Sequence, residues 1–293
     1  MKEMIVKQQV FLWKEPKENL VLASIKKSLP SELGLLTGKQ AMLLHDEELV
    51  DSELLFGDSV EVIQVREGWK EVACLQQEKV GEVQGYRGWI QEDDSVVYSE
   101  DTSLPKVAII EQFATLTFKK TQLQQEYPFG CVFSCSGETE TDYIIQTPLG
   151  EALIAKIAAQ STTALTQEAL AENMIRLAKK FRGLSYVWGG IGGSGFDCSG
   201  FVYSLHRVHH RIIPRDAHEQ ALKGKEIAYH QALPGDLLFF AYDQGKGLIH
   251  HVGLYLGNNE MIHSQTPGSK VLVSSLPGTI YETELCMVRR YWS

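Results

Sequence analysis

Residues 189–200 read GGIGGSGFDCSG, and an apolar-periodic segment starts at once with Phe201, Val202, Leu205 and Val208. Glycine takes backbone conformations closed to other residues, and Asp197 is a strong helix N-cap. The stretch must therefore turn into a helix whose first turn holds Cys198. Unpaired backbone N–H groups and the positive end of the helix dipole favour thiolate over thiol there. A thiol so placed becomes a nucleophile once a base stands beside it. The glycine run does not follow a strand in the dinucleotide-binding pattern, which discounts a phosphate site.

The candidate partners are His251, opening His251-Val252-Gly253-Leu254-Tyr255, and His263, within Met261-Ile262-His263-Ser264. Gly257-Asn258-Asn259 lies between them as a hairpin turn. A two-residue loop pairs residue 254 with 263 and puts the two imidazoles on opposite faces. A three-residue loop pairs 253 with 263 and puts them on one face. Asn259 tolerates the left-handed conformation that closes a three-residue loop, so the odd loop is expected. His251 then serves as base and His263 orients it. A zinc site of Cys198, His251 and His263 is the rival on ligand chemistry, but no fourth ligand stands out. His206, His209, His210, His218 and His230 read as scattered surface histidines, and His250 as structural.

The rest of the chain divides by pattern. Residues 1 to about 100 read as short β segments with turns, with an insertion near 17–46. A loose internal echo follows: Glu53-Leu54-Leu55-Phe56-Gly57 against Glu126-Tyr127-Pro128-Phe129-Gly130, and Arg87-Gly88-Trp89-Ile90 against Gly150-Glu151-Ala152-Leu153-Ile154. Two related small β barrels, 1–100 and 104–160, are the economical reading. Ser161–Ala164 reads as a linker, and Thr166 caps a helix with Leu170, Met174, Leu177 and Phe181 on one face. Strands are expected at 236–242, 250–256, 260–264, 270–275 and 285–292. One helix followed by a run of strands makes 166–293 an α+β unit with an antiparallel sheet.

Composition narrows the function. The 293 residues carry 28 Lys and Arg against 37 Asp and Glu, a net charge of −9. A chain this acidic, without a basic run, is a poor holder of nucleic acid. No stretch approaches the ~20 apolar residues of a membrane span. The first twenty residues are cut by charges and lack a secretory apolar core, so a cytoplasmic location is expected. Five Cys with no metal-finger spacing suit free thiols in a reducing compartment.

Residues 184–293 resemble the NlpC/P60 family of papain-like cysteine peptidases. The likeness runs through Tyr186-Val187-Trp188-Gly189-Gly190, Phe196-Asp197-Cys198-Ser199-Gly200-Phe201, Pro214-Arg215-Asp216-Ala217, Pro234-Gly235-Asp236-Leu237-Leu238-Phe239-Phe240, His251-Val252-Gly253 and Met261-Ile262-His263-Ser264. The resemblance implies Cys198 as nucleophile, His251 as base, His263 as orienting residue and the Tyr186 hydroxyl as an oxyanion donor, with no cofactor. The implied substrates are bacterial cell-wall stem peptides, cut between γ-D-Glu and a diamino acid. The β modules resemble bacterial SH3-like (SH3b) domains, and the three-unit arrangement is similar to that of endopeptidases that recycle murein peptides bearing a free N-terminal L-Ala.

Such a substrate brings an ammonium and the D-Glu carboxylate, and a buried ammonium needs carboxylates. Asp197, Asp216, Glu53 and Tyr86 are the candidates for the amine end, Ser199 for the D-Glu carboxylate, and Trp188 for an apolar wall. Ser185 and Ala217 depart from the family pattern, where Pro and, in some relatives, Ser stand. Three other readings stay open: a hydrolase of intact wall, an acyl transferase on the same scaffold, and a binding module with an inactive site.

Overall fold

The alternating segments of the first 100 residues pair into one antiparallel sheet of seven strands: Lys2–Ile5, Gln9–Trp13, Val50–Leu55, Ser59–Arg66, Trp69–Cys74, Tyr86–Gln91 and Ser95–Val97. A second seven-stranded sheet comprises Lys106–Ile109, Phe113–Phe118, Gln124–Pro128, Val132–Glu138, Asp142–Thr147, Gly150–Ala155 and Ala159–Ser161. This computed structural model describes residues 1–25, 38–82, 84–161 and 166–292. In chain order, both sheets run third, second, sixth, fifth, fourth, first, seventh strand. Among the described residues both sheets run as open strand orders rather than closing into the expected barrels. Of the insertion, helices Leu20–Ile25 and Gly38–Asp46 are described; 26–37, and 162–164 of the expected linker, lie outside the described residues.

The sequence echo falls on equivalent places. Phe56-Gly57 leaves the third strand of the first sheet, and Phe129-Gly130 leaves the third strand of the second. Both glycines are left-handed, at φ 88° and 94°, which favours Gly at each corner. Each corner pushes its phenylalanine forward into the following unit. Phe56 lies 4.3 Å from Tyr127 and 5.8 Å from Phe133, between ring centroids. Phe129 lies 4.6 Å from Phe181 and 6.0 Å from Phe196. The buried apolar core accordingly runs without a break from Leu55 and Phe56 through the second sheet into the C-terminal unit.

That unit opens with the helix Gln167–Lys180, capped by Thr166, whose side chain accepts from the Ala169 N–H at 3.3 Å. Leu170, Met174, Leu177 and Phe181 are all buried. A six-stranded antiparallel sheet follows, ordered Lys225–Glu226, Leu285–Arg290, Leu237–Ala241, Ile249–Gly257, Glu260–Ser264 and Val271–Ser275. The five long strands start and end within two residues of the segments expected from periodicity. The helix Cys198–Arg207 packs on this sheet. At its far end Arg207 donates to the Gly130 carbonyl at 2.8 Å and pairs with Asp58, so one side chain touches all three units.

Two histidines of this region are not at the surface. His206 is fully buried and His209 nearly so, and their Nδ1 atoms lie 2.7 Å from the carbonyls of Val202 and Leu205, one turn back. Their helix faces the core on every side, which a count of surrounding polar residues does not reveal. Burial pushes His206 down to about 4, so it is neutral.

Candidate active site

The Asp197 carboxylate accepts from the Gly200 N–H at 2.6 Å and caps the helix that Cys198 begins. Gly200 is required by close approach: a Cβ there would lie 2.1 Å from the Gly190 carbonyl oxygen. The glycine run is thereby pressed against the helix start. Asp197 also accepts from the Gly189 N–H at 3.0 Å and from both terminal nitrogens of Arg215, at 3.1 and 2.6 Å. Arg215 is itself buried and donates to Ser52 of the first sheet at 2.8 Å. A buried guanidinium needs such a carboxylate, so this pair locks the nucleophile's helix to its neighbour.

The pair at the sheet is in place. His251 Nε2 lies 2.7 Å from His263 Nδ1, and His263 Nε2 lies 2.9 Å from Ser274 Oγ. Residue 253 stands opposite 263, as expected, but by another route. The turn is the two residues Asn258 and Asn259, both left-handed at φ 53° and 59°, as a type I′ turn requires. The odd residue is Leu256, bulged between the Tyr255–Met261 and Gly257–Glu260 pairs. The two imidazoles thus bond each other instead of converging on a metal.

With Nε2 turned to His263, Nδ1 is the remaining nitrogen of His251, and the backbone N–H of Val252 beside it reaches the Cys198 sulfur. To accept a proton there, His251 must carry its hydrogen on Nε2 and donate to His263 Nδ1; His263 then donates from Nε2 to Ser274. Burial, then the neighbouring imidazoles of His263 and His250, hold His251 well below the ordinary histidine range. Burial, then the Asp197 charge, pushes the Cys198 thiol up to about 12. The resting pair is therefore neutral thiol and neutral imidazole, not the thiolate expected from helix position alone.

Tyr186 is buried, and the Cys198 thiol and backbone N–H both act on its hydroxyl. A hydroxyl and an N–H side by side at the start of the Cys198 helix are the donor types an oxyanion needs. Tyr281 went unread in the sequence. Its ring lies 5.9 Å from His251 and 5.2 Å from His263, covering both imidazoles. Ser274 and Arg215 were also missed as functional residues. A buried arginine in a motif signals a carboxylate partner, but Ser274 is reached only through the strand register.

The substrate-side residues sort differently from expectation. Ser199 is buried, with its hydroxyl donating to Asp197 at 3.2 Å and accepting from Arg215 at 3.0 Å. Asp197 is saturated by its own protein donors. Glu53 accepts from the backbone N–H groups of Ile191 and Gly192, at 2.9 and 3.0 Å, so it latches the first sheet to the glycine run. Burial pushes it up to about 7. Trp188 is half-buried, donates to the Val50 carbonyl at 3.1 Å and meets His45 edge-on.

Tyr86 and Asp216 do come together: the Tyr86 hydroxyl donates to Asp216 Oδ2 at 3.0 Å. Asp51 joins them, close enough for the charges of Lys79 and Asp216 to act on its carboxyl, which burial pushes up. Asp51 lies on the same strand as Glu53, at the bulge between the Leu12–Ser52 and Trp13–Val50 pairs, so alternation from Glu53 does not place it. His218 and Glu219 each bring a potential ligand atom within 4.8 Å of one on Asp216. Among the described residues, no helix is long and apolar enough to cross a membrane.

Comparison with known proteins points to one family. Residues 183–290 match the model of the NlpC/P60 family. The chain is 35% identical over 258 residues to a Bacillus subtilis protein named γ-D-glutamyl-L-lysine dipeptidyl-peptidase, covering 88% of this chain and 86% of that one. A Bacillus cereus protein of the same name is 30% identical, covering 87% and 79%. The crystal structure of an NlpC/P60 family protein from Bacillus cereus superposes over the full length of both chains, with a TM-score of 0.90 at 27% identity. A cysteine at a helix start, a histidine pair in register on neighbouring strands and relatives alike over nearly the whole chain lead to one assignment: the chain belongs to the NlpC/P60 family of cysteine peptidases.

Proposed function

We propose that this peptidase hydrolyses the bond between γ-D-Glu and the following diamino acid in murein peptides with a free N-terminal L-Ala, in cytoplasmic recycling of released wall peptides. The observation that carries the reading is the acidic edge formed by Asp51, Tyr86 and Asp216, to which the first sheet contributes two residues. An enzyme that removes a dipeptide must count two residues from an amine, and carboxylates at the end of the cleft are the chemistry that counts it. The names of the relatives alike over most of the chain support the same bond. In this reading 1–100 and 104–160 are SH3b-like units, and 166–293 carries the chemistry.

The steps follow from the residues. The Cys198 thiol attacks the γ-carbonyl carbon as His251 Nδ1 takes its proton, and Tyr186 and the Cys198 N–H hold the oxyanion. Collapse forms a thioester, and His251 returns the proton to the departing diamino-acid amine. Water, deprotonated by the same imidazole, then attacks the thioester carbon; the C–S bond breaks, the imidazolium returns that proton to the Cys198 sulfur, and L-Ala-γ-D-Glu is released.

The test is mass spectrometry of L-Ala-γ-D-Glu-diaminopimelate, its Lys counterpart and their N-acetylated forms, with wild type and Cys198→Ala, alongside intact sacculi. Cleavage confined to free-amine peptides and lost in the variant is the expected result. Equal cleavage of acetylated peptides would remove the amine requirement. Release of peptides from sacculi would favour a wall hydrolase.

A further inference from the structure

The acidic edge already contains an ammonium. Lys79 Nζ lies 3.6 Å from Asp216 Oδ2 and 4.0 Å from the centre of the Tyr86 ring. Its charge also reaches Asp51, whose own ion-pair partner is Lys14 at 3.6 Å. An aromatic face flanked by two carboxylates is the setting a primary ammonium requires when it leaves water. We infer that Lys79 is an internal stand-in for the substrate's N-terminal ammonium, holding the amine subsite until the peptide displaces it. This inference rests on the amine reading proposed above.

The local structure presents Lys79 to that site. The segment after strand Trp69–Cys74 is clamped to the C-terminal unit on one side: Tyr203 donates to the Gln76 carbonyl at 3.0 Å, and the Arg215 N–H donates to the Glu78 carbonyl at 3.2 Å. Gln77 is held within the first sheet by the Glu53 carbonyl at 2.6 Å and the Ser52 hydroxyl at 2.6 Å. Lys79 then opens a turn, closed by the Glu82 N–H donating back to its carbonyl at 3.1 Å with Gly81 left-handed at φ 87°. Its backbone is fixed, while its side chain is 35% exposed and ends in a flexible four-carbon stem. The ammonium can therefore swing into water without disturbing the clamp.

The exchange conserves charge. One ammonium leaves Asp216 as another arrives while Asp51 keeps Lys14, so the carboxylates are never left bare once substrate is seated. A neutral N-terminus would have to evict Lys79 and replace it with nothing. The lysine thus weakens every peptide's binding by the cost of its own displacement, and leaves the chemistry at Cys198 alone.

The test is steady-state kinetics of Lys79→Met and Lys79→Arg on L-Ala-γ-D-Glu-diaminopimelate. Titration of that peptide into Cys198→Ala with and without Lys79→Met gives the affinity directly, and thermal melts monitor the fold. Lys79→Met should lower KM and Kd about tenfold with kcat within about twofold, while Lys79→Arg stays near wild type. Unchanged KM and Kd in Lys79→Met would overturn the inference. A raised KM would also overturn it and make Lys79 a contact for a substrate carboxylate. Wild-type cleavage of the acetylated peptide at equal KM would remove the amine subsite itself. Rejection of that peptide with an unresponsive Lys79→Met would remove only the role of Lys79.

Discussion

His251 Nε2 and His263 Nδ1 lie 2.7 Å apart, so the two imidazoles share one proton and a single tautomer of each serves catalysis. Ser274, 2.9 Å from the other nitrogen of His263, selects that tautomer by accepting its hydrogen. Ser274→Ala should leave His263 free to carry its hydrogen on Nδ1, facing His251 with a donor where an acceptor is needed. We expect kcat to fall on the order of 10-fold with KM unchanged, the scale of a lost orienting contact, and His263→Ala to cost roughly 10²–10⁴. Equal kcat for Ser274→Ala and wild type would remove the serine from the relay.

The Tyr186 hydroxyl is kept protonated, since burial and the nearby Cys198 and Asp197 all raise its ionisation well above the usual range. Tyr186→Phe retains the ring and deletes only the donor. Turnover should drop by about 10²–10³ with little change in KM, because the hydrogen bond strengthens as the oxyanion forms.

With the thiol pushed up to about 12 and His251 held low, the free enzyme should show no thiolate at neutral pH. The difference in absorbance at 240 nm between wild type and Cys198→Ala should stay flat to about pH 9. Rapid alkylation and a thiolate step below pH 7 would mean a preformed ion pair. Activity should need neutral His251, so the acid limb of kcat/KM should fall below the ordinary histidine value of about 6.5.

Glu53 titrates near 7 in the folded chain and at its ordinary 4.5 when unfolded. The native state thus binds the extra proton between those values, and stability falls as pH rises through them. The contribution is largest below 4.5 and gone above 7, amounting to about 3 kcal/mol. Glu53→Gln keeps an acceptor for Ile191 and Gly192 and should flatten that slope in denaturant melts at pH 5 to 8. Its KM for the tripeptide should match wild type, since the side chain faces the glycine run.

What could be read from residues follows from how local the cause is. The start of the helix at Cys198 and the strands around both histidines depend on caps and alternation within a few residues, and they stand where periodicity put them. The 253–263 register was legible too, yet the bulge at Leu256 that produces it was not, because Leu gives no local sign of being the unpaired residue. Ser274, Tyr281 and Asp51 acquire their roles from neighbours on other strands or another unit. Single-sequence patterns do not carry that kind of distance. The open strand orders of the two β sheets, likewise, depend on long-range pairing rather than on any turn signal.

The repeated Phe-Gly corner has a consequence for how such a chain can be rearranged. Phe56 is a peg seated in the second unit, and Phe129 is the same peg seated in the third. Excising the middle unit would leave one peg in water and one socket open, while the corner of the first unit would meet a surface shaped for a different neighbour. The three units are therefore not beads to be shuffled along a string. Each engages the unit after it through the same kind of phenylalanine, and the catalytic unit receives the second of the two.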